Sequence, residues 1–147
     1  MQKFEKLYEI AKDLAEKTYG FLDTKGPGIG NHATNQFISA LGAKATKEFG
    51  QDYSEKNICG PNSLLVDFYF PDEGVIVEVA LGLKNSNTEY EKDILKAIMA
   101  KSLGNKVEKL VFITKLGGAK KCNQPGRVAV KEWLLSAHKI EMEVMDL

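Results

Sequence analysis

Apolar and polar positions alternate with helical spacing in the first third of the chain. Between residues 2 and 19 apolar side chains recur every three or four positions, with lysine and glutamate between them, which predicts an amphipathic helix that ends at Gly20. A turn-rich stretch over residues 24–30 follows. A second helix is predicted from residue 31 or 34 to about residue 49. Residues 1–50 are therefore predicted to be a helical N-terminal part.

The pattern changes after residue 57, where apolar strands alternate with helices. Two strands flank a four-residue turn that has Pro71 early and Gly74 last, which predicts a hairpin. The next strand is almost wholly apolar, as expected for a strand covered on both faces. The predicted elements here are strands 63–70 and 75–81, a helix from residue 87 or 88 to 103, strand 109–114, helix 128–138 and strand 140–145. This order predicts one α/β domain over residues 1–147 with a mixed sheet, whose core is residues 57–147.

Composition narrows the class of protein. The chain has 147 residues, 44% of them hydrophobic, which is too many for a disordered segment. No stretch approaches the roughly 20 apolar residues that a membrane span needs, and the first five residues lack the core of a signal peptide. Cys59 and Cys122 lie far apart, so we expect buried thiols rather than a disulfide framework or a zinc knuckle. These features predict a soluble cytoplasmic protein.

Charge is balanced overall but unevenly distributed. The chain carries 20 basic and 20 acidic side chains, yet residues 84–131 hold 11 of the basic ones and four of the acidic ones. Such a segment either meets phosphate, because clustered cations supply most non-specific affinity for nucleic acid, or forms a solvated lysine-rich surface. Arg127 is the one arginine beside 19 lysines. Lysine neutralises phosphate as a point charge and arginine is the usual reader of guanine, so any DNA binding is predicted to involve mainly the backbone.

Two acidic residues in the predicted hairpin form the main candidate site. If Phe70 pairs with Val75 across the turn, the register makes Asp67 and Glu78 direct cross-strand neighbours, with Cβ atoms about 5 Å apart. Alternation of side chains predicts an apolar core face made of Leu64, Val66, Phe68, Phe70, Val75, Val77 and Val79. The opposite face then carries both acids, together with Leu65, Tyr69, Ile76 and Ala80.

The opposition of two carboxylates requires compensation. Like charges directly opposite one another destabilise a sheet, and a partly dry setting increases the cost. A divalent cation, a lysine or a proton shared by the two groups would relieve the repulsion. Mg²⁺ and Mn²⁺ suit the position because they accept one or two carboxylates and complete their coordination with water and phosphate oxygens. The alternative is a solvent-facing hairpin whose acids point into water.

The acidic pair and its surroundings resemble a nuclease motif. Asp67, ten intervening residues and the run Glu78-Val79-Ala80 are similar to the motif of the PD-(D/E)xK nuclease superfamily, the fold of many restriction endonucleases. The resemblance covers roughly residues 31–115, where the predicted order of helix, hairpin, helix and strand also matches that core. It implies a restriction-endonuclease-like mixed β-sheet with an acidic hairpin and helices on both faces. It also implies a metal-dependent DNA endonuclease, and we expect a homodimer because cutting both strands of a duplex suits paired sites.

The resemblance implies a metal site and a catalytic set. Asp67, Glu78 and the Val79 carbonyl would hold Mg²⁺ or Mn²⁺, and a metal-bound water would attack the phosphodiester. Two alternatives remain open. One is a catalytically inactive nucleic-acid-binding or assembly module of the same fold, and the other is a scaffold without a nucleic-acid role.

The third position of the motif departs from the superfamily pattern. It is usually lysine, and in this chain it is Ala80, which cannot polarise a water or neutralise a phosphate. Lys84 lies four residues further on, and Lys92 lies on the first turns of the next predicted helix. Either lysine is predicted to supply the missing cation, so both are counted as candidate catalytic residues.

Two further segments are predicted to contact nucleic acid. The first is the start of the second helix, with Asn31, His32 and Asn35, although a loop histidine is also commonly just exposed. The second is the stretch 115–127, which combines glycines and amides with cations and opens a helix, whose N-terminus favours anions. Its cations are Lys115, Lys120, Lys121 and Arg127. The stretch does not match a P-loop, and no Ser-His-Asp or Cys-His arrangement is recognisable.

Overall fold

A five-stranded sheet forms the centre of the protein, with its strands side by side in chain order. The structure is a computed structural model that describes residues 1–18, 29–85 and 87–147, and for residues 29–31 it describes the backbone. The elements are α1 (Lys3–Lys17), α2 (Ile29–Phe49), β1 (Ser54–Lys56), β2 (Val66–Phe70), β3 (Val75–Val79), α3 (Asn87–Ser102), β4 (Lys109–Thr114), α4 (Gly118–Cys122), α5 (Pro125–His138) and β5 (Glu141–Asp146). In these ranges no helix is long and apolar enough to cross a bilayer.

The sheet is mixed, as the sequence predicts. Strands β1, β2 and β3 are antiparallel neighbours, whereas β3, β4 and β5 run parallel. Parallel neighbours need a crossover, which α3 supplies between β3 and β4, and α5 between β4 and β5. The parallel strands end at one edge of the sheet, where Val79 lies beside Ile113 and Thr114 beside Asp146.

Helices α1 and α2 cover one face of the sheet. The buried residues of α1 recur every three or four positions and form an apolar stripe, which consists of Phe4, Leu7, Ala11 and Ala15. This stripe belongs to a core cluster whose strand members are Phe68, Phe70, Val75, Val77, Val79, Val111 and Ile113. The N-terminal helical part and the sheet therefore share a hydrophobic core.

The hairpin turn fixes the start of α1. The carboxylate of Glu73 accepts hydrogen bonds from the backbone N–H of Lys3 at 2.6 Å and of Phe4 at 3.3 Å. The first N–H groups of a helix have no partner within it, and a negative charge there is favourable. Helix α1 is thus attached to the sheet by its apolar stripe and by a carboxylate at its N-terminus.

The opposite face of the sheet is also covered. Its core cluster joins Tyr69, Ile76 and Ala80 of the hairpin region to Tyr90 of α3 and Leu134 of α5. The face that carries the acids is therefore inside the protein, and the alternative of a solvent-facing hairpin does not describe it. Burial on this face raises the pKa of both acids.

Each predicted helix and strand has a counterpart in the structure, which also contains two short elements, β1 and α4, that the sequence analysis did not predict. The alternation of apolar and polar residues does not reveal β1, because this strand has only three residues and its middle residue, Glu55, has a φ of 52°, in the left-handed region. α4 lies within a segment whose glycines and lysines predict a loop. The predicted helix end at Gly20 and most of the turn-rich stretch lie outside the described residues.

The predicted assignment of Leu64 and Val66 to the first face is wrong. Val66 belongs to the core cluster of Tyr69 and Ile76, and Leu64 packs against that same cluster, whereas Phe68 lies in the other. Strand β2 begins at Val66. The alternation of side chains between the two faces therefore does not extend to Val66 and Leu64.

Candidate active site

The hairpin brings its two acids to one end of β3. Phe70 lies opposite Val75 and Phe68 opposite Val77, which confirms the predicted register. One step further along β2, Asp67 turns its carboxylate to the partner strand, where Oδ2 accepts the backbone N–H of Val79 at 2.8 Å. The turn length alone therefore sets where Asp67 meets β3, next to Glu78.

Burial makes both carboxyls weak acids. Glu78 is 2% exposed. Burial, followed by the charges of Asp93 and Asp67, raises the pKa of Glu78 well above its usual range. Burial also raises the pKa of Asp67 from 3.8 to about 6, against the opposing effects of the Val79 N–H and of Lys96. The predicted repulsion between the two acids is thus present, and desolvation adds to it.

The compensating cation is Lys96 on α3. Its ammonium lies 2.9 Å from Glu78 Oε2, 3.0 Å from Asp93 Oδ1 and 2.7 Å from the Leu65 carbonyl oxygen. These three acceptors match the three protons of an ammonium. Although burial lowers the pKa of Lys96, the two carboxylates raise it above its ordinary value, so the side chain stays charged. Of the three remedies predicted for the acidic pair, the structure contains the lysine.

The predicted source of this cation needs correction. Lys84 is exposed, and its stem lies against Gly117, because a Cβ built on Gly117 would be 3.2 Å from Lys84 Cδ. Lys92 is exposed one turn before Lys96, and its charge acts on Glu89 and Asp93. The helical turn between Lys92 and Lys96 decides the outcome, because only the later position faces the sheet.

Two more carboxyls from α3 join the site, and the sequence analysis missed both. Asp93 is 5% exposed, and burial raises its pKa, while Lys96 and a hydrogen bond with Glu78 lower it. Burial, then Asp93 and Asp67, raises the pKa of Glu89. The available signal was the spacing of residues 89, 93 and 96, which places charges at helical intervals beside the apolar stripe of α3. We call Asp67, Glu78, Glu89, Asp93 and Lys96 the acidic cluster.

One oxygen of the acidic cluster has unsatisfied bonding capacity. Glu78 Oε1 is buried and has no hydrogen-bond partner in the described part of the chain. A buried unpaired carboxylate oxygen is costly. Either a proton, which lets Glu78 donate to Asp93, or a bound cation would relieve it.

Two carboxylates at this position meet part of what a divalent metal ion requires. Asp67 and Glu78 provide two hard carboxylate ligands at the end of β3, which is the number that Mg²⁺ commonly takes from a protein, and Glu78 Oε1 is unpartnered. Residues 1–18, 29–85 and 87–147 hold no group of three or more His, Cys, Asp or Glu side chains that could bind an ion. Water and a substrate phosphate would therefore have to complete the coordination.

The residues predicted to contact nucleic acid have different surroundings. His32 and Asn35 are exposed near the start of α2, and the side chain of Asn31 lies outside the described part. Lys120 is exposed, and Lys115 and Lys121 are half-buried.

Arg127 is held inside the protein. It is 6% exposed, donates to Asn87 Oδ1 from Nη2 at 2.9 Å, and lies 4.7 Å above the centre of the Tyr90 ring. Tyr90 Oη in turn donates to the Arg127 carbonyl oxygen at 3.0 Å. Arg127 thus joins α5 to the start of α3 and is not displayed to a phosphate, in contrast to the prediction.

Comparisons with protein-family models, curated proteins and solved structures find no match to this chain.

Proposed function

We propose that this protein is a metal-dependent endonuclease that hydrolyses phosphodiester bonds of DNA, with a restriction-endonuclease-like fold. The observation that carries the proposal is the buried contact between Lys96 Nζ and Glu78 Oε2 at 2.9 Å, beside Asp67. An acidic pair on a hairpin together with a lysine is the side-chain set that the motif resemblance implies. Here the lysine comes from the following helix, while Ala80 occupies the usual strand position.

The order of elements supports the same proposal. Helix α2 precedes three antiparallel strands, then helix α3 leads to the parallel strand β4. The resemblance implies the order helix, hairpin, helix and parallel strand for residues 31–115, which α2, the β2–β3 hairpin, α3 and β4 follow. The short strand β1 is an addition to that order.

The proposed chemistry divides between an ion and the chain. Mg²⁺ or Mn²⁺, when bound, lowers the pKa of a coordinated water and offsets charge on the phosphate. Asp67 and Glu78 would hold the ion, and the Val79 carbonyl would assist as the resemblance implies. Lys96 is fixed by its three acceptors, so its positive charge needs no reorganisation when negative charge gathers on the phosphate.

Cleavage of plasmid DNA tests the proposal. The purified chain is incubated with supercoiled, linear and branched DNA and Mg²⁺ or Mn²⁺, and with EDTA as the metal-free control. We expect metal-dependent cleavage that Asp67→Asn abolishes, although this amide still accepts the Val79 N–H. Lys96→Met should abolish it as well, whereas Lys92→Met on the same helix should retain it. Intact DNA of every form with both metals would contradict the proposal.

The burial of the acidic cluster favours a second candidate function. Because Lys96 donates all three protons within the protein and Glu78 is 2% exposed, the same contacts suit a module that kept the fold and lost the chemistry. Such a module would bind DNA in a salt-sensitive manner without cleaving it, and Asp67→Asn would leave binding intact. Whether the protein cleaves DNA or only binds it, light scattering of the purified chain tests the expected homodimer.

A further inference from the structure

The edge of the sheet where the parallel strands end collects lysines from two loops. Lys84 follows β3, Lys115 follows β4, and Lys120 and Lys121 lie on α4. We call these four side chains the basic edge. Because the carboxyl ends of parallel strands lie together, these loops lie at the same end of the sheet as Val79, whose N–H binds Asp67.

Contacts within the basic edge hold its two loops together. The stem of Lys84 crosses Gly117, where an added Cβ would lie 3.2 Å from Lys84 Cδ and 3.7 Å from its Nζ. Gly117 has a φ of 102°, a backbone conformation that favours glycine, and the missing side chain also leaves room for the stem of Lys84. The two loops are therefore in contact at this glycine.

Asp146, at the end of β5, holds the loop that follows β4. Its carboxylate accepts the N–H of Ala119 at 3.0 Å and of Gly117 at 3.3 Å. This acid occupies the N-terminal amides of α4, a short helix that the sequence analysis did not predict. The lysine side chains, and not these amides, are thus the groups that the loop offers to an anion.

The carboxyls of the acidic cluster hinder the approach of DNA to the candidate active site. Four carboxyls and one lysine would repel a polyanion from the candidate active site, so approach of DNA requires cations nearby. We infer that the basic edge binds the sugar-phosphate backbone of duplex DNA beside the acidic cluster. This inference deepens the proposed function, because it names the surface that receives the substrate.

Salt dependence of DNA binding tests the basic edge. Binding of a fluorescent 20-base-pair duplex by the full chain is measured in EDTA, which prevents metal-dependent cleavage, over a range of salt concentrations. The variant carries Lys84→Gln, Lys120→Gln and Lys121→Gln. We expect the slope of log affinity against log salt to become shallower by about 2 to 3, since each phosphate contact contributes about 0.9. The corresponding triple arginine variant should keep the wild-type slope, because backbone contact needs charge at these positions.

A matched variant removes the same charge from the helices α1 and α2. Lys12→Gln, Lys44→Gln and Lys47→Gln change three exposed lysines of α1 and α2, and the slope should stay within about 0.5 of wild type. Equal losses in the two glutamine variants, or no salt-dependent binding by wild type, would overturn the inference.

The outcomes separate this inference from the proposed function. Binding that depends on the basic edge, without cleavage in Mg²⁺ or Mn²⁺, leaves the inference standing and removes the nuclease. Cleavage together with equal losses of the salt slope in both glutamine variants supports the nuclease and removes the inference. Melting followed by circular dichroism establishes that each variant is folded.

Discussion

Asp67→Asn is expected to stabilise the protein at neutral pH while it removes the proposed activity. In the folded chain the pKa of Asp67 is raised from 3.8 to about 6, chiefly by burial. This difference corresponds to at most about 3 kcal/mol of stability lost when the buried group ionises, since one pKa unit is worth about 1.4 kcal/mol. Asparagine resembles the protonated carboxyl and still accepts the Val79 N–H, so it avoids this loss.

The sign of the pH dependence follows from proton uptake. Between about pH 4 and pH 6 the folded state holds a proton on Asp67 that the unfolded chain releases, so wild-type stability falls as pH rises. The Asp67→Asn variant lacks this contribution. The two proteins should therefore be equally stable near pH 3, and the variant should gain up to about 3 kcal/mol above pH 7.

Urea denaturation at a series of pH values measures the difference. Asp72→Asn, an exposed aspartate in the hairpin turn, serves as the matched control and should change stability by less than about 0.5 kcal/mol. The reasoning fails if Asp67→Asn is no more stable than wild type at pH 8. A side chain that lowers the free energy of unfolding relative to a substitute at the same position is typical of a functional site.

Two further substitutions test the packing around the candidate site. Lys96→Met leaves Glu78 buried without its cation and should cost about 3 kcal/mol or more, seen as a lower urea midpoint; unchanged stability would show that the pair is not coupled. Gly118→Ala should cost about 1–3 kcal/mol, because its Cβ would lie 2.2 Å from Thr114 Cγ2. Gly126→Ala on α5, where an added Cβ meets nothing within 4 Å, is the control and should be neutral or stabilising by up to about 1 kcal/mol. Equal melting temperatures of the two alanine variants would contradict the clash.

The hairpin could be predicted from the sequence because its information is local. A four-residue turn fixes the pairing of Phe70 with Val75, and the position of Asp67 beside β3 follows from it. The cation could not be predicted in this way. Lys96 is 18 residues from Glu78 on another element, and the rotation of α3 decides which of its lysines faces the sheet.

Arg127 shows a second limit of the sequence. Its charge, its neighbours and its place at the start of a helix all favour a contact with phosphate. Its partner, Asn87, is 40 residues away and becomes a neighbour only when α3 and α5 cover the same face of the sheet. Exposure of a charged residue depends on such distant packing, which a single sequence does not display.

The attachment of α1 has a kinetic consequence. Glu73 binds the N–H groups of Lys3 and Phe4 across about 70 positions of the chain, so this contact exists only after the hairpin turn has formed. Closing so long a loop is entropically expensive and comes late in folding. The first helix is therefore expected to dock last and to detach first, so that among the described helices its amide protons exchange earliest with solvent.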